Sequence, residues 1–157
     1  MLSRYREDKA HQAAARLLSL HGSAMDTSKL GALLYLVERE ALVRFGAPVS
    51  HDDFVRTPSG IVARSALDWI DAGKTRELYA VESDPLSPAE HRLIDEIFGR
   101  YGSWASADLL EFTRALPEWT QGASPEEILR LAGYSASEIA EIRGEWEHVT
   151  YARSLLG

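Results

Sequence analysis

Three times in the second half of the chain a serine stands three residues before a glutamate, at Ser87-Pro88-Ala89-Glu90, Ser124-Pro125-Glu126-Glu127 and Ser135-Ala136-Ser137-Glu138. In each, hydroxyl and carboxylate can reciprocally satisfy the unpaired amides of a first helical turn. The first two add proline at the first helical position, where a missing N–H costs nothing. Behind Ser87, the residues Leu93, Ile94, Ile97, Phe98 and Tyr101 form an inward face. Another helix from Ser106 carries Leu109, Leu110, Phe112 and Leu116 up to Pro117. A chain of 157 residues that commits so much of itself to helices is the size of one domain built mainly from them.

The first half reads the same way. Ala10, Ala13, Ala14, Leu17, Leu18 and His21 recur at helical spacing between Arg4 and His21, and Gly22 stops the run. A second helix runs from about Thr27 to Phe45, with Leu30, Leu33, Leu34, Val37, Ala41 and Phe45 on one stripe and Gly46-Ala47-Pro48 as terminator. Its other face, Lys29, Glu38, Arg39, Glu40 and Arg44, reads as solvated. Alternation of period two occurs loosely over Val49 to Thr57 and again over Glu77 to Glu82, which predicts a small antiparallel pair. Between them, Gly60 to Ile70 reads as a short helix. The expected fold class is mainly α (α+β), a compact multi-helix domain with a small antiparallel β element between helices two and four. No linker interrupts it, so residues 1–157 are expected to form one domain: an N-terminal helix over 1–24, a core over 25–120 and a C-terminal helical extension over 121–157.

Charge and composition narrow the function. With 17 Lys and Arg against 24 Asp and Glu the net charge is −7, which disfavours nucleic acid, since phosphate binding requires a positive surface. The absence of cysteine removes disulfides, thiolate nucleophiles and zinc ribbons. No segment is apolar enough to span a membrane, and Arg4, Arg6, Glu7, Asp8 and Lys9 spoil a signal peptide, so a cytoplasmic location is expected. There is no G-x-S-x-G and no G-x-G-x-x-G, and Gly73-Lys74-Thr75 lacks the glycine that a phosphate loop needs at position 68, which is Asp68. His51-Asp52-Asp53 is the one His/Asp cluster, and it wants further histidines before it could hold a metal. We therefore expect no enzyme activity, no metal and no cofactor: a packed interior without a reactive centre, and an exterior that serves as a docking platform.

Residues 125–132, a turn at Gly133-Tyr134-Ser135 and a helix from 136 onward have the outline of a helix-turn-helix, the basis of an alternative reading as a DNA-binding autorepressor. The second helix, however, carries Glu138, Glu141, Glu145 and Glu147 against Arg143, and carboxylates repel phosphates. Ile139, Ile142, Trp146 and Val149 instead form a seam for docking on the domain or a partner. A hydrolase of unassigned substrate is the weaker alternative.

Ser28-Lys29-Leu30 leads into Leu33-Leu34-Tyr35-Leu36-Val37-Glu38-Arg39-Glu40, followed by Phe45-Gly46-Ala47-Pro48-Val49, Leu86-Ser87-Pro88-Ala89-Glu90, Leu110-Glu111-Phe112-Thr113-Arg114 and Pro117-Glu118-Trp119. This ordered set, over about residues 25 to 120, resembles the Panacea-domain family of SocA-like antitoxins, with its K-L-x-x-L-L-Y-L-A-D-R-E run, y-G-x-P-I turn, L-S-x-x-E helix start and L-x-x-T-H…p-W close. The chain departs from the pattern at Gly60-Ile61-Val62, where the family has Gly-Pro-Val, at Arg114 in place of histidine, and at Glu38 in place of aspartate. The resemblance implies an antitoxin of a bacterial, in part phage-associated, toxin–antitoxin system that neutralises a cognate toxin protein by direct contact. In at least one branch of the family it also implies delivery of that toxin to an AAA+ protease. An acidic surface would steer a basic toxin. Candidate partner-binding residues are Tyr35, Glu38, Arg39, Trp104, Arg114 and Trp119; tryptophan buries much area at little entropic cost, and Tyr35, two residues past Leu33, is placed off the apolar stripe. Trp69 and Trp146 are expected in the core.

Overall fold

The computed structural model describes residues 5–22, 24–71 and 84–144, and it is built around one helix. That helix is α2, Thr27–Phe45, packed against the other elements in turn: α1 (Glu7–His21), the strand β2 (Ile61–Ala63), α3 (Arg64–Asp71), α4 (Pro88–Tyr101), α5 (Ser106–Arg114) and α7 (Pro125–Leu131). The strand β1 (Phe54–Arg56) precedes β2, α6 (Pro117–Thr120) follows α5, and residues 136–144 form a further helix, α8. The fold is mainly helical α+β, as the sequence predicts.

The helix ends follow the sequence signals. Gly22 and Gly46 both take φ of 74° as C-caps, a conformation that L side chains adopt only with strain. At α4 the Ser87 Oγ accepts from the Glu90 amide and the Glu90 carboxylate accepts from the Ser87 amide, a complete reciprocal cap. The same pair of bonds joins Ser135 and Glu138 at the start of α8. Ser124 accepts from the Glu127 amide, but there the carboxylate turns to the Ser124 hydroxyl, so the cap is one-sided.

Two features differ from expectation. Val55 pairs antiparallel with Val62 across a tight connection, so the partner of the first strand is 61–63, and α3 begins only at Arg64 rather than at Gly60. The segment read as a second strand, 77–82, lies outside the described residues, as do Trp146 and Val149. The solvated face assigned to α2 is corrected in part: Arg44 is exposed as expected, and the difference lies at the other positions. Lys29 is buried and its Nζ donates to the Gly102 carbonyl at 2.7 Å, at the C-terminal end of α4 where the helix dipole favours a cation. Phe45, placed on the apolar stripe, is instead exposed.

The main core gathers Leu17, Leu30, Leu33, Val37, Ile61, Leu93, Ile94, Ile97 and Leu109. A second, smaller cluster joins the end of α2 to the C-terminal helices through Leu42, Ala123, Ile128, Leu129 and Ile139, with Ile142 packed against it. The isoleucine seam of α8 thus docks on the domain itself, and the Tyr134 hydroxyl fixes the turn before it by donating to the Val43 carbonyl at 2.8 Å. No helix among the described residues is long and apolar enough to cross a membrane.

Candidate functional site

Between α2, the loop 48–53, the hairpin, the start of α3 and the start of α7 lies a cavity of about 560 Å³. Its size falls within the roughly 300–1,000 Å³ of small-molecule pockets. Four carboxylates line it, Glu38, Asp52, Asp53 and Asp68, together with Arg39, Arg64, His51 and the rings of Tyr5, Tyr35 and Phe54. Of these ionisable groups Asp53, Arg64 and Asp68 are exposed, whereas Glu38, Arg39, His51 and Asp52 are partly buried.

Glu38 sits on α2 and reaches the loop that follows. Its carboxylate accepts from the Ser50 amide at 2.9 Å and from the Ser50 hydroxyl at 2.8 Å. The His51 amide adds to this cradle, and His51 has a φ of 58°, a left-handed turn that histidine tolerates better than most residues. Burial nevertheless dominates and pushes the Glu38 carboxyl up to about 7, with the nearby Asp52 charge acting in the same direction. Asp52 is raised to about 6 by its own burial, against the pull of the Ser65 hydroxyl and amide. The Ser65 Oγ lies 2.5 Å from the Tyr5 hydroxyl, which ties the segment before α1 to α3. No cation pairs with Glu38 or Asp52 among the described residues.

Beside the cavity the cation is already taken. Arg39 donates through Nε to Glu118 at 2.7 Å, and the Tyr35 hydroxyl donates to the same Glu118 Oε2. Glu118 is 1 % exposed, and its Oε1 has no hydrogen-bond partner. A buried charge held by an arginine and a tyrosine is strongly bound, and losing either donor is costly. Phe54, 40 % exposed, lays its ring edge-on to Tyr35 with centroids 5.5 Å apart. One residue beyond Glu118, the Trp119 ring is flanked by the Arg56 guanidinium at 5.1 Å and that of Arg114 at 5.8 Å.

The structure therefore divides the six candidate residues. Tyr35, Glu38 and Arg39 meet at the cavity, where Tyr35 is buried rather than off the apolar stripe and Glu38 is held by Ser50 rather than solvated. Arg114 and Trp119 meet each other on the neighbouring surface. Trp104 lies apart, edge-on to Tyr101 and Phe112. Sequence reasoning missed Glu118 and Asp68, and weighed His51-Asp52-Asp53 only as metal ligands. Among the described residues no three His, Asp or Glu side chains come together to hold a metal ion. The one available signal for Glu118 was Pro117 before it, which opens the short α6.

Of the motifs that carry the resemblance, the run containing Tyr35, Glu38 and Arg39 and the turn containing Pro48 line the cavity. Gly60 leaves no room for a side chain: a Cβ there would stand 2.5 Å from both the Leu110 carbonyl and the Thr113 Oγ1. The Ile61 amide donates to that same Thr113 Oγ1 at 2.9 Å, a bond that a proline at this position could not make. The departure at Ile61 thus adds a tie between the hairpin and α5.

Taken together, these features define a helical α+β protein in which ionisable groups from several elements line one cavity. The family described as antitoxin SocA-like, Panacea domain, matches residues 32–120, and the chain belongs to it. No curated protein and no solved structure matches the chain.

Proposed function

We propose that this chain is the antitoxin of a toxin–antitoxin pair and neutralises its toxin by binding it directly, with the cavity and the adjoining Trp119 surface as the contact face. The observation that carries this reading is the antitoxin family match over residues 32–120, the stretch that also supplies most of the cavity wall. The surface chemistry supports it: a net charge of −7 steers a basic partner and speeds encounter. Phe54, Trp119 and the two flanking arginines provide anchors of the kind that dominate binding energies. A proteolytic adaptor role would use the same contact while an AAA+ protease engages elsewhere.

Co-expression with the product of the adjacent reading frame tests the proposal. The neighbour is expected to arrest growth alone, to lose that effect with this chain present, and to co-purify with it. A neighbour that is neither toxic nor retained overturns the reading. A shortened half-life of the neighbour in protease-proficient cells, beside an unchanged one in protease-deficient cells, would distinguish an adaptor from a simple sequestering partner.

A further inference from the structure

We propose that the cavity seats an arginine side chain of the toxin, a deepening that rests on the antitoxin reading above. Three independent features of the cavity converge on this occupant.

The first is uncompensated charge. Four carboxylates line the cavity against two guanidinium groups, and one of those, Arg39, is committed to Glu118. Glu38 and Asp52 reach the space from α2 and from the loop after it, and each is held by neutral donors, Ser50 and Ser65 respectively. Serine and backbone amides orient a carboxylate but do not neutralise it, so each retains acceptor capacity for a cation. A positive group beside these two partly buried carboxyls would favour their ionised forms against the burial that raises them.

The second feature is depth. Asp53 and Asp68 are exposed whereas Asp52 and Glu38 are both partly buried, so negative charge is present at the surface and below it. A long side chain with a charged tip can reach the carboxylates that lie below the surface. The cavity of about 560 Å³ has room for that side chain together with its flanking backbone.

The third is shape at the wall. Tyr35 and Phe54 present adjoining rings, and a planar guanidinium can lie on an aromatic face while its fork reaches carboxylates on two sides. An ammonium offers neither the plane nor the fork. The chain already lays guanidinium groups beside an aromatic ring on its own surface, where Arg56 and Arg114 flank Trp119.

The test separates the cavity from the toxin. Full-length protein is titrated with N-acetyl-Gly-Arg-Gly-amide and with the same tripeptide carrying citrulline, which keeps the shape and removes the charge. Binding is read by nuclear magnetic resonance shifts of the Tyr35, Ser50 and Ser65 amides. The arginine peptide is expected to move these signals and the citrulline peptide to leave them in place. Glu38→Gln and Asp52→Asn, each close in shape to the parent residue, are expected to weaken the arginine peptide by about tenfold or more. Asp95→Asn, at the ion-pair partner of Arg16 and outside the cavity lining, is expected to change nothing. Equal binding of both peptides, or no shift at the three amides, overturns the assignment. Retained neutralisation of the toxin by Glu38→Gln and Asp52→Asn also overturns it while leaving the antitoxin reading standing. Failure of the antitoxin reading shows itself separately, as a neighbouring product that is not toxic although the arginine peptide still binds.

Discussion

Glu38→Gln is expected to make the protein more stable where the wild-type carboxylate is ionised. Burial lifts the Glu38 carboxyl from its ordinary 4.5 to about 7, so the folded chain holds that proton more tightly than the unfolded chain does. The contribution is present in full below about pH 4.5, declines as the pH rises, and is gone above about pH 7. The displacement corresponds to about 3 kcal/mol. Glutamine keeps the oxygen that accepts from the Ser50 amide and hydroxyl, but it cannot ionise. Any fixed cost of its amide nitrogen is the same at every pH, so the informative quantity is the change in the gap between variant and wild type. That gap should move in favour of the variant by about 3 kcal/mol between about pH 4.5 and pH 8, or by roughly 6–12 °C in melting temperature for a chain of this size. Asp52, raised to about 6, titrates in both proteins, and because its charge helps raise Glu38, part of the gap reports the coupling between the two carboxyls. Urea denaturation followed by tryptophan fluorescence at several pH values measures the gap directly. Parallel pH profiles for the two proteins would refute the account of a desolvated carboxylate at this position.

Tyr35→Phe removes one of the donors to buried Glu118 and should cost about 2 kcal/mol in urea denaturation, since the other oxygen is already unpaired; a loss below about 0.5 kcal/mol would mean another donor replaces the hydroxyl. Gly60→Ala drives a methyl against the Leu110 carbonyl and Thr113 and should destabilise by about 1–3 kcal/mol in thermal melts, whereas an unchanged midpoint would show that the hairpin shifts freely away from α5. Arg114→Ala, at an exposed position over Trp119, should leave stability within about 0.5 kcal/mol and yet weaken toxin capture about tenfold, and equal capture would remove that surface from the contact face.

What the sequence made legible was local chemistry. The bounds of α2, the glycine ends at Gly22 and Gly46 and the caps at Ser87 and Ser135 all follow from residues within one turn of each other, and the structure reproduces them. The polar face of α2 was misread because that helix is central: neighbours cover it on several sides, so Lys29, Glu38 and Arg39 find partners rather than solvent. Those partners, Gly102 and Glu118 among them, lie far along the chain, and no spacing rule announces a bond between distant positions. The hairpin failed for a different reason. Strands of three residues are too short for a period of two to stand out, and the apolar run after Gly60 is equally compatible with a helix. The cavity was invisible for both reasons at once, since its wall is assembled from segments that share no pattern.

Not all of that wall comes from the family's own stretch. Tyr5, Pro125 and Ile128 border the cavity but fall on either side of residues 32–120. The inherited portion contributes Tyr35, Glu38, Arg39 and Asp52, and the flanks contribute part of the frame around them. Changes in the flanking segments can therefore reshape the opening while the charged groups stay in place, and a chimera that exchanges only those segments would alter which side chain enters without rebuilding the seat it enters.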